Sequence, residues 1–320
     1  MQFSFAPMEG FTGFPYRNVH HRFFPGIDRY YTPFISANES CEFMTREKRD
    51  IDPANNKDTA VIPQILTRNA EQFAFAAREM KKRGYTEVNL NLGCPSGTVV
   101  AKGKGAGMLR DPAALDSFLA ECFERLEGEG ISISLKTRLG IHEGTEAHAL
   151  LCVFNHYELS ELIVHPRVQK DIYRNTVQLS VFEEILAESR NPVIYNGDIC
   201  TRADYEVIHG RFPSVAGVMI GRGLIENPAL VREICGGPAI DKDEYSRFAA
   251  ALYDVYEQEI QGEKNVLFKL KDFWSFMSLH FDHGKEYVKD IRKAGNKAEY
   301  QAAVRALFRN CSLMEPEKKL

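Results

Sequence analysis

Asn89, Asn91 and Cys94 lie within one short run, Asn89-Leu90-Asn91-Leu92-Gly93-Cys94-Pro95. Side chains alternate along a strand, so the two carboxamides share one face and Leu90 and Leu92 take the other. The thiol that follows, held between a glycine and a proline, sits on a rigid turn and makes poor core filler. The other six cysteines lie mostly in apolar runs, where burial is the ordinary role of this side chain. Similar polar strand ends recur. Gln64 ends one β-rich run, Lys136-Thr137-Arg138 another, His165-Pro166-Arg167 a third and Asn196-Gly197-Asp198 a fourth. Burying an amide or an ammonium without a partner costs roughly several kcal/mol, so the coincidence of these groups points to a site.

Gly197-Asp198 and Gly221-Arg222-Gly223 follow the last two strand candidates. Glycines let a backbone approach an anion, free N–H groups point at it, and Arg222 adds charge, so the two loops together predict a phosphate site. The phosphate could belong to a phosphosugar or to a flavin mononucleotide. The segment after Cys94 carries glycines at 97, 103, 105 and 107 and lysines at 102 and 104, the composition of a mobile lid or of a plain flexible connection. A metal site is not expected. His20-His21 and His280/His283 lack cysteine or carboxylate partners at ligand spacing, and His20 and His21 read equally well as helix-surface residues.

The elements that must position these groups alternate. Strand candidates fall at 2–6, 30–35, 61–66, 86–92, 131–137, 160–165, 192–196 and 215–220, with amphipathic stretches at 70–83, 112–126, 146–157, 177–189, 201–209 and 224–234. Eight strands interleaved with helices match a (β/α)8 TIM barrel in count and size. An open doubly wound sheet would carry a glycine-rich fingerprint after the first strand, where this chain reads Ala6-Pro7-Met8-Glu9-Gly10. Gly236-Gly237-Pro238 reads as a linker, giving a catalytic barrel over 1–236 and a C-terminal helical bundle over 240–320. In that bundle Leu267, Leu270, Trp274, Met277 and Phe281 recur on one helical face, as core.

The 320 residues, 44% hydrophobic and 26% charged, suit a globular protein with a large core. No run approaches a membrane span and no signal peptide is read at the start. Scattered cysteines fit a reducing cytosol. A cytoplasmic monomer is expected. The net charge of −4 offers no global field for nucleic acid, but residues 264–309 carry ten Lys or Arg against five acids, net +5. That is a solvated helical face or a surface for phosphate backbone.

Taken together, these motifs resemble the tRNA-dihydrouridine synthase family, flavin-dependent (β/α)8 barrels with a C-terminal helical domain. The resemblance is carried by Ala6-Pro7-Met8, Pro63-Gln64, NLNLGCPSGTVV at 89–100, Gly105-Ala106-Gly107-Met108-Leu109, Lys136-Thr137-Arg138-Leu139-Gly140, Val164-His165, Ile194-Tyr195-Asn196-Gly197-Asp198-Ile199 and Met219-Ile220-Gly221-Arg222-Gly223. It implies Cys94 as general acid, with Asn91 facing flavin and uracil. Gln64 and Lys136 would contact the polar edge of the FMN ring, and the backbone of Pro7 and Met8 would line it. His165, Asn196, Gly197, Asp198, Gly221 and Arg222 would hold the far side of the ring and the phosphate. Asn91, Lys102, Arg138 and Arg167 would meet the substrate, and the bundle would grip tRNA or another structured RNA. The family usually has His-Gly-Arg after the sixth strand, where this chain has His165-Pro166-Arg167; Pro166 removes an N–H and fixes φ.

The implied reaction is reduction of the uracil 5,6 double bond, with hydride from reduced FMN, a proton from Cys94, and NADPH as electron source. A thiol of ordinary pKa about 8.5 is protonated at neutral pH, as a general acid requires. The uracil must leave its stack to reach the barrel mouth. Three other readings stay open. They are a dihydroorotate-dehydrogenase-like barrel acting on a small pyrimidine, a non-catalytic flavin-containing RNA-binding protein, and a flavin-free phosphate-binding barrel.

Overall fold

The computed structural model describes residues 1–36, 42–314 and 318–320. Nine parallel strands form one sheet: β1 (Gln2–Phe5), β2 (Arg29–Tyr31), β3 (Val61–Ile62), β4 (Gln64–Ile65), β5 (Glu87–Leu92), β6 (Ser132–Arg138), β7 (Leu162–His165), β8 (Val193–Tyr195) and β9 (Gly217–Ile220). Their order is β3-β2-β1-β9-β8-β7-β6-β5-β4. Pro63 separates β3 from β4, because a proline has no N–H to give a ladder. The two halves serve different neighbours: Tyr30 and Tyr31 pair with Val61 and Ile62, and Gln64 and Ile65 pair with Asn89 and Leu90. Counted as one broken strand, β3 and β4 bring the ring to eight and nearly close it. This is the expected (β/α)8 barrel, and each strand overlaps the run that predicted it, although β2 starts at Arg29 and ends at Tyr31 where the run extended to 35.

The chain divides into two compact units. One comprises Met1–Pro7, Asp28–Gly197 and Phe212–Met219; the other comprises Met8–Ile27, Asp198–Arg211 and Ile220–Leu320.

In the first unit the interior of the barrel is uneven. Ala6, Tyr31, Ile163, Ile194 and Met219, from five segments, make one buried apolar cluster. Across β4, β5 and β6 the matching positions are polar: Gln64, Asn89 and Ser134 are in register and fully buried. The helices outside obey their punctuation. Asn69 caps Ala70–Lys82 by accepting from the Gln72 N–H, and Gly84, at φ +92°, ends it in the left-handed region that glycine adopts without a Cβ penalty. Asp111 caps Pro112–Leu126 in the same way, accepting from Ala113 and Ala114.

In the second unit, four helices follow the linker: Lys242–Glu259, Glu263–Met277, Gly284–Lys293 and Lys297–Asn310. The stripe Leu267, Leu270, Trp274, Met277 and Phe281 is buried, and the Trp274 indole N–H donates to Tyr300 Oη at 2.8 Å. A helix the hydrophobic pattern did not disclose, Phe14–Phe23, belongs to the same unit; Tyr16 stacks on Phe273 with centroids 5.1 Å apart. His20, read equally well as a surface residue, is buried on this helix. Its Nε2 lies 3.0 Å from the Pro228 carbonyl, and desolvation pushes its pKa down to about 3. The stretch 224–234, expected as one helix, is two, Arg222–Glu226 and Leu230–Ile234, because Pro228 cannot continue the first.

Candidate active site

Parallel register determines which side chains meet. Gln64 lies beside Asn89 and Asn89 beside Ser134, while one level further along the strands Asn91 lies beside Lys136. The carboxamides join into a chain. Asn89 Nδ2 donates to Ser134 Oγ at 3.0 Å, Gln64 Nε2 donates to Asn89 Oδ1 at 2.8 Å, and Asn91 Nδ2 donates to Gln64 Oε1 at 2.7 Å. The last oxygen of the chain, Asn91 Oδ1, accepts the N–H of Gly93 at 3.1 Å and of Cys94 at 2.9 Å. The turn that carries the thiol is thereby tied to three strands of the barrel. Cys94 is partly exposed and forms no disulfide among the described residues.

Lys136 makes no hydrogen bond or ion pair with any described residue. Its pKa is pushed down to about 7, first by burial and second by the Arg138 guanidinium, while a thiolate at Cys94 would draw it back up. An ammonium so placed is poised to gain from an anionic or acceptor-rich neighbour.

Arg138, two residues on and on the same face, is committed to the backbone. Its Nε donates to Gly93 O at 2.9 Å, Nη1 to Val168 O at 3.0 Å and Nη2 to Ile172 O at 2.8 Å, and the guanidinium faces the Tyr173 ring at 5.3 Å. It therefore fastens the Cys94 turn to the loop beyond β7. That loop passes through Ile172 at φ +54°, an uncommon conformation for a β-branched residue, and leaves Tyr173 half exposed at 51%. His165, in register with Arg138, is buried and packs edge-on to Tyr173. Arg167, also buried, donates from Nε to the Asn175 carbonyl at 2.6 Å and places Nη1 3.3 Å from His165 Nε2. Asn196 donates to the Met219 carbonyl at 2.8 Å, and at Gly197 a methyl would come within 3.1–3.2 Å of Val177 and the Tyr195 hydroxyl, a tight fit that these side chains would have to ease.

The glycines after Cys94 have a different reason from the one composition suggested. Gly97–Val100 is a short helix and Gly105–Arg110 a 3-10 turn; Val100, Ala106 and Leu109 are buried. A methyl at Gly105, whose φ is +55°, would meet Val99 at 2.9 Å and the Cys94 carbonyl at 3.0 Å, and one at Gly107 would meet the Val100 carbonyl at 2.8 Å. The Ala106 N–H donates to Cys94 O at 3.1 Å. Close packing, not looseness, explains Gly105 and Gly107, whereas Gly97 has open space around it. Lys102 is exposed on this segment.

The remaining sequence-derived residues lie at the edge of the first unit or in the second. Pro7 ends the first segment of the first unit. Met8 opens a turn of the second, its N–H donating to Thr12 Oγ1 at 2.8 Å. Asp198, at φ +47°, accepts from Arg222 Nη2 at 2.6 Å, and Gly221 leads into that arginine. Sequence reasoning passed over Ser134, although it shares the two-residue period of Lys136 and Arg138, and it passed over Arg68; Lys104 it noted only as part of the glycine-rich segment. Among the described residues no cluster of three or more His, Cys, Asp or Glu could hold a metal, and no helix is long and apolar enough to cross a membrane.

Comparison with known proteins bears on this constellation. The family model described as dihydrouridine synthase matches residues 4–318. A probable tRNA-dihydrouridine synthase of Staphylococcus aureus (strain COL) is 27% identical over 299 residues, 91% of this chain and 85% of that protein. A tRNA-dihydrouridine(16) synthase of Neisseria meningitidis serogroup A is 25% identical over 312 residues, 94% of this chain and 93% of that protein. Morphinone reductase shares the fold, with a TM-score of 0.54 at 12% identity over 76% of this chain and 87% of that one. A family model that spans almost the whole chain, with the amide-tied cysteine inside the matched region, settles the kinship: this chain belongs to the dihydrouridine synthase family.

Proposed function

We propose that this protein reduces the 5,6 double bond of uridines in tRNA to dihydrouridine, with Cys94 as the proton donor. The single observation that carries the proposal is the chain of carboxamides ending on the Cys94 amide, beside an ammonium that no described residue neutralises. A flat heterocycle with alternating carbonyl and N–H groups is what such a row of residual amide donors and acceptors would recognise. FMN, when bound, would supply the hydride, and NADPH would re-reduce it.

The residues present fit that cofactor. Gln64 keeps an amide N–H and a lone pair beyond those used in the chain, Asn91 keeps an amide N–H, and Lys136 supplies the cation for the electron-rich edge of the ring. By family resemblance the backbone of Pro7 and Met8 lines the ring, and His165, Asn196 and Gly197 hold its far side. Asp198, Gly221 and Arg222 are assigned to the phosphate. Asn91 and Arg138 hold the Cys94 turn against the uracil, Arg167 steadies His165, and Lys102 faces the RNA.

The barrel over 1–236 does the chemistry, and the helices over 240–320 bind RNA. Along Gly284–Lys293, the exposed Lys285, Lys289, Arg292 and Lys293 follow helical spacing and would track a phosphate backbone. The protein would act as a monomer in the cytoplasm.

The test is turnover of unmodified tRNA with NADPH, with dihydrouridine mapped by mass. The wild-type holoprotein should form dihydrouridine. Cys94→Ala should retain its flavin colour and flavin reduction but form no dihydrouridine. Unchanged RNA turnover by that variant would reject Cys94 as the acid, and a colourless purified protein would reject the flavin.

A further inference from the structure

We propose that Arg68, Lys102 and Lys104 form a phosphate-binding cluster that grips the RNA backbone beside the uridine presented to Cys94, an inference that rests on the function proposed above. The three cations come from two places in the first unit: Arg68 follows β4, and the two lysines flank Gly103 in the segment after Cys94. They converge because Gly103 has no side chain. A methyl there would come within 3.2 Å of Arg68 Nη1 and 3.5 Å of Arg68 Cδ, so the guanidinium lies directly on the glycine between the lysines.

Among the described residues no carboxylate answers them, and none of the three forms an ion pair. Lys104 is partly buried, and the charges that act on it, those of Lys102 and Arg68, are both positive. Burial first, then these two, hold its pKa below the ordinary value. Like charges gathered on a packed segment repel one another, and an anion seated among them would relieve that repulsion.

Position identifies the anion. Lys104 adjoins Gly105, where a methyl would lie 3.1 Å from Cys94 Cβ, and the next residue, Ala106, donates its N–H to the Cys94 carbonyl. The cluster is thus rooted on the turn that carries the thiol. A uridine cannot reach Cys94 without bringing its own sugar-phosphate chain with it, and phosphate contacts of this kind fix register without reading sequence. The phosphates of a dinucleotide share the same chemistry, and the experiment separates the two.

Equilibrium binding of an unmodified tRNA transcript to the holoprotein is measured over a series of salt concentrations, for wild type, Lys102→Gln/Lys104→Gln and Arg68→Gln. A charge-matched control, Lys57→Gln/Arg190→Gln, alters residues that precede β3 and β8 at the opposite ends of their strands. Removing both lysines should weaken binding about tenfold and flatten the plot of log affinity against log salt by about two, one for each lost contact. Arg68→Gln should lower the slope by about one, and the control should match wild type. If the lysine and arginine variants bind RNA with the wild-type affinity and slope while their KM for NADPH rises, the cluster serves the dinucleotide and the proposal is overturned. A control that loses as much as the lysine variant would overturn it equally. Wild-type protein that neither binds nor modifies tRNA would overturn the function proposed above along with the cluster, a failure visible before any variant is made.

Discussion

Asn91 Oδ1 accepts the backbone N–H of Cys94 at 2.9 Å while the other end of the same carboxamide donates to Gln64 Oε1 at 2.7 Å. One side chain thus fixes the placement of the thiol relative to the neighbouring strand of the barrel. We expect Asn91→Ala to lose dihydrouridine formation by about a hundredfold, the scale of a misplaced reacting group. It should also lower stability by roughly 1–3 kcal/mol, because buried donors and an acceptor are left unmet. Turnover and a thermal melt measure both, and wild-type activity in this variant would show that the turn stands without its tie.

Lys136 carries the pH dependence. Its folded pKa, about 7, lies below the ordinary lysine value, so the ammonium is lost as pH rises through neutrality. If the cation is required, single-turnover reduction of tRNA should fall between pH 7 and pH 9, while bound anionic partners shift the midpoint upward. The stability effect has the opposite sign: between pH 7 and the unfolded lysine value the unfolded chain binds more protons, so stability attributable to this residue rises with pH. Lys136→Met should abolish the pH dependence, reduce product formation and raise the melting temperature at pH 7 by about 2–4 °C. A variant that melts lower would show that the ammonium has a partner in solution.

Gly105→Ala should damage the site without touching a polar group. At φ +55° the new methyl would press on Val99 and on the Cys94 carbonyl. A loss of about 1–3 kcal/mol is expected from strain at such a position, with reduced turnover because the cysteine turn must shift. Gly97→Ala, with open space around it, is the control and should be nearly silent.

His20 and His280 make the second unit sensitive to acid. Burial holds both neutral, with pKa values pushed down to about 3 and about 4. Both lie below the unfolded histidine value of about 6.5, so stability present above that pH is lost as pH falls toward the folded values. The melting temperature should drop by several degrees from pH 7.5 to pH 5, and His280→Phe should shallow that drop. An unchanged slope in the variant would place the acid sensitivity elsewhere.

Strands were the most legible part of the chain, because buried parallel strands read as apolar runs and their polar ends stand out against that background. The Asn89/Asn91 alternation gave the inward face correctly, and the periodic stripe around Trp274 identified bundle core. What was hidden depended on contacts remote in sequence. Nothing in Ser134 announces that Asn89 will donate to it, and Arg68 is unremarkable until Gly103 is folded onto it. Glycine-rich composition left a mobile lid and a plain flexible connection equally open, because composition does not distinguish a glycine that frees the backbone from one that lets two segments touch. His20 hid because its neighbours on the helix are mixed in character; the Pro228 carbonyl meets it from a segment remote in sequence.

The segment after Cys94 is rooted by an amide on the cysteine carbonyl and packed at Gly105 and Gly107, which leave no room for a methyl. Packed in this way it is not the loose connection that four glycines suggest. Under the function proposed above, the bending needed to reach the thiol would then fall to the nucleic acid rather than to a moving flap of protein.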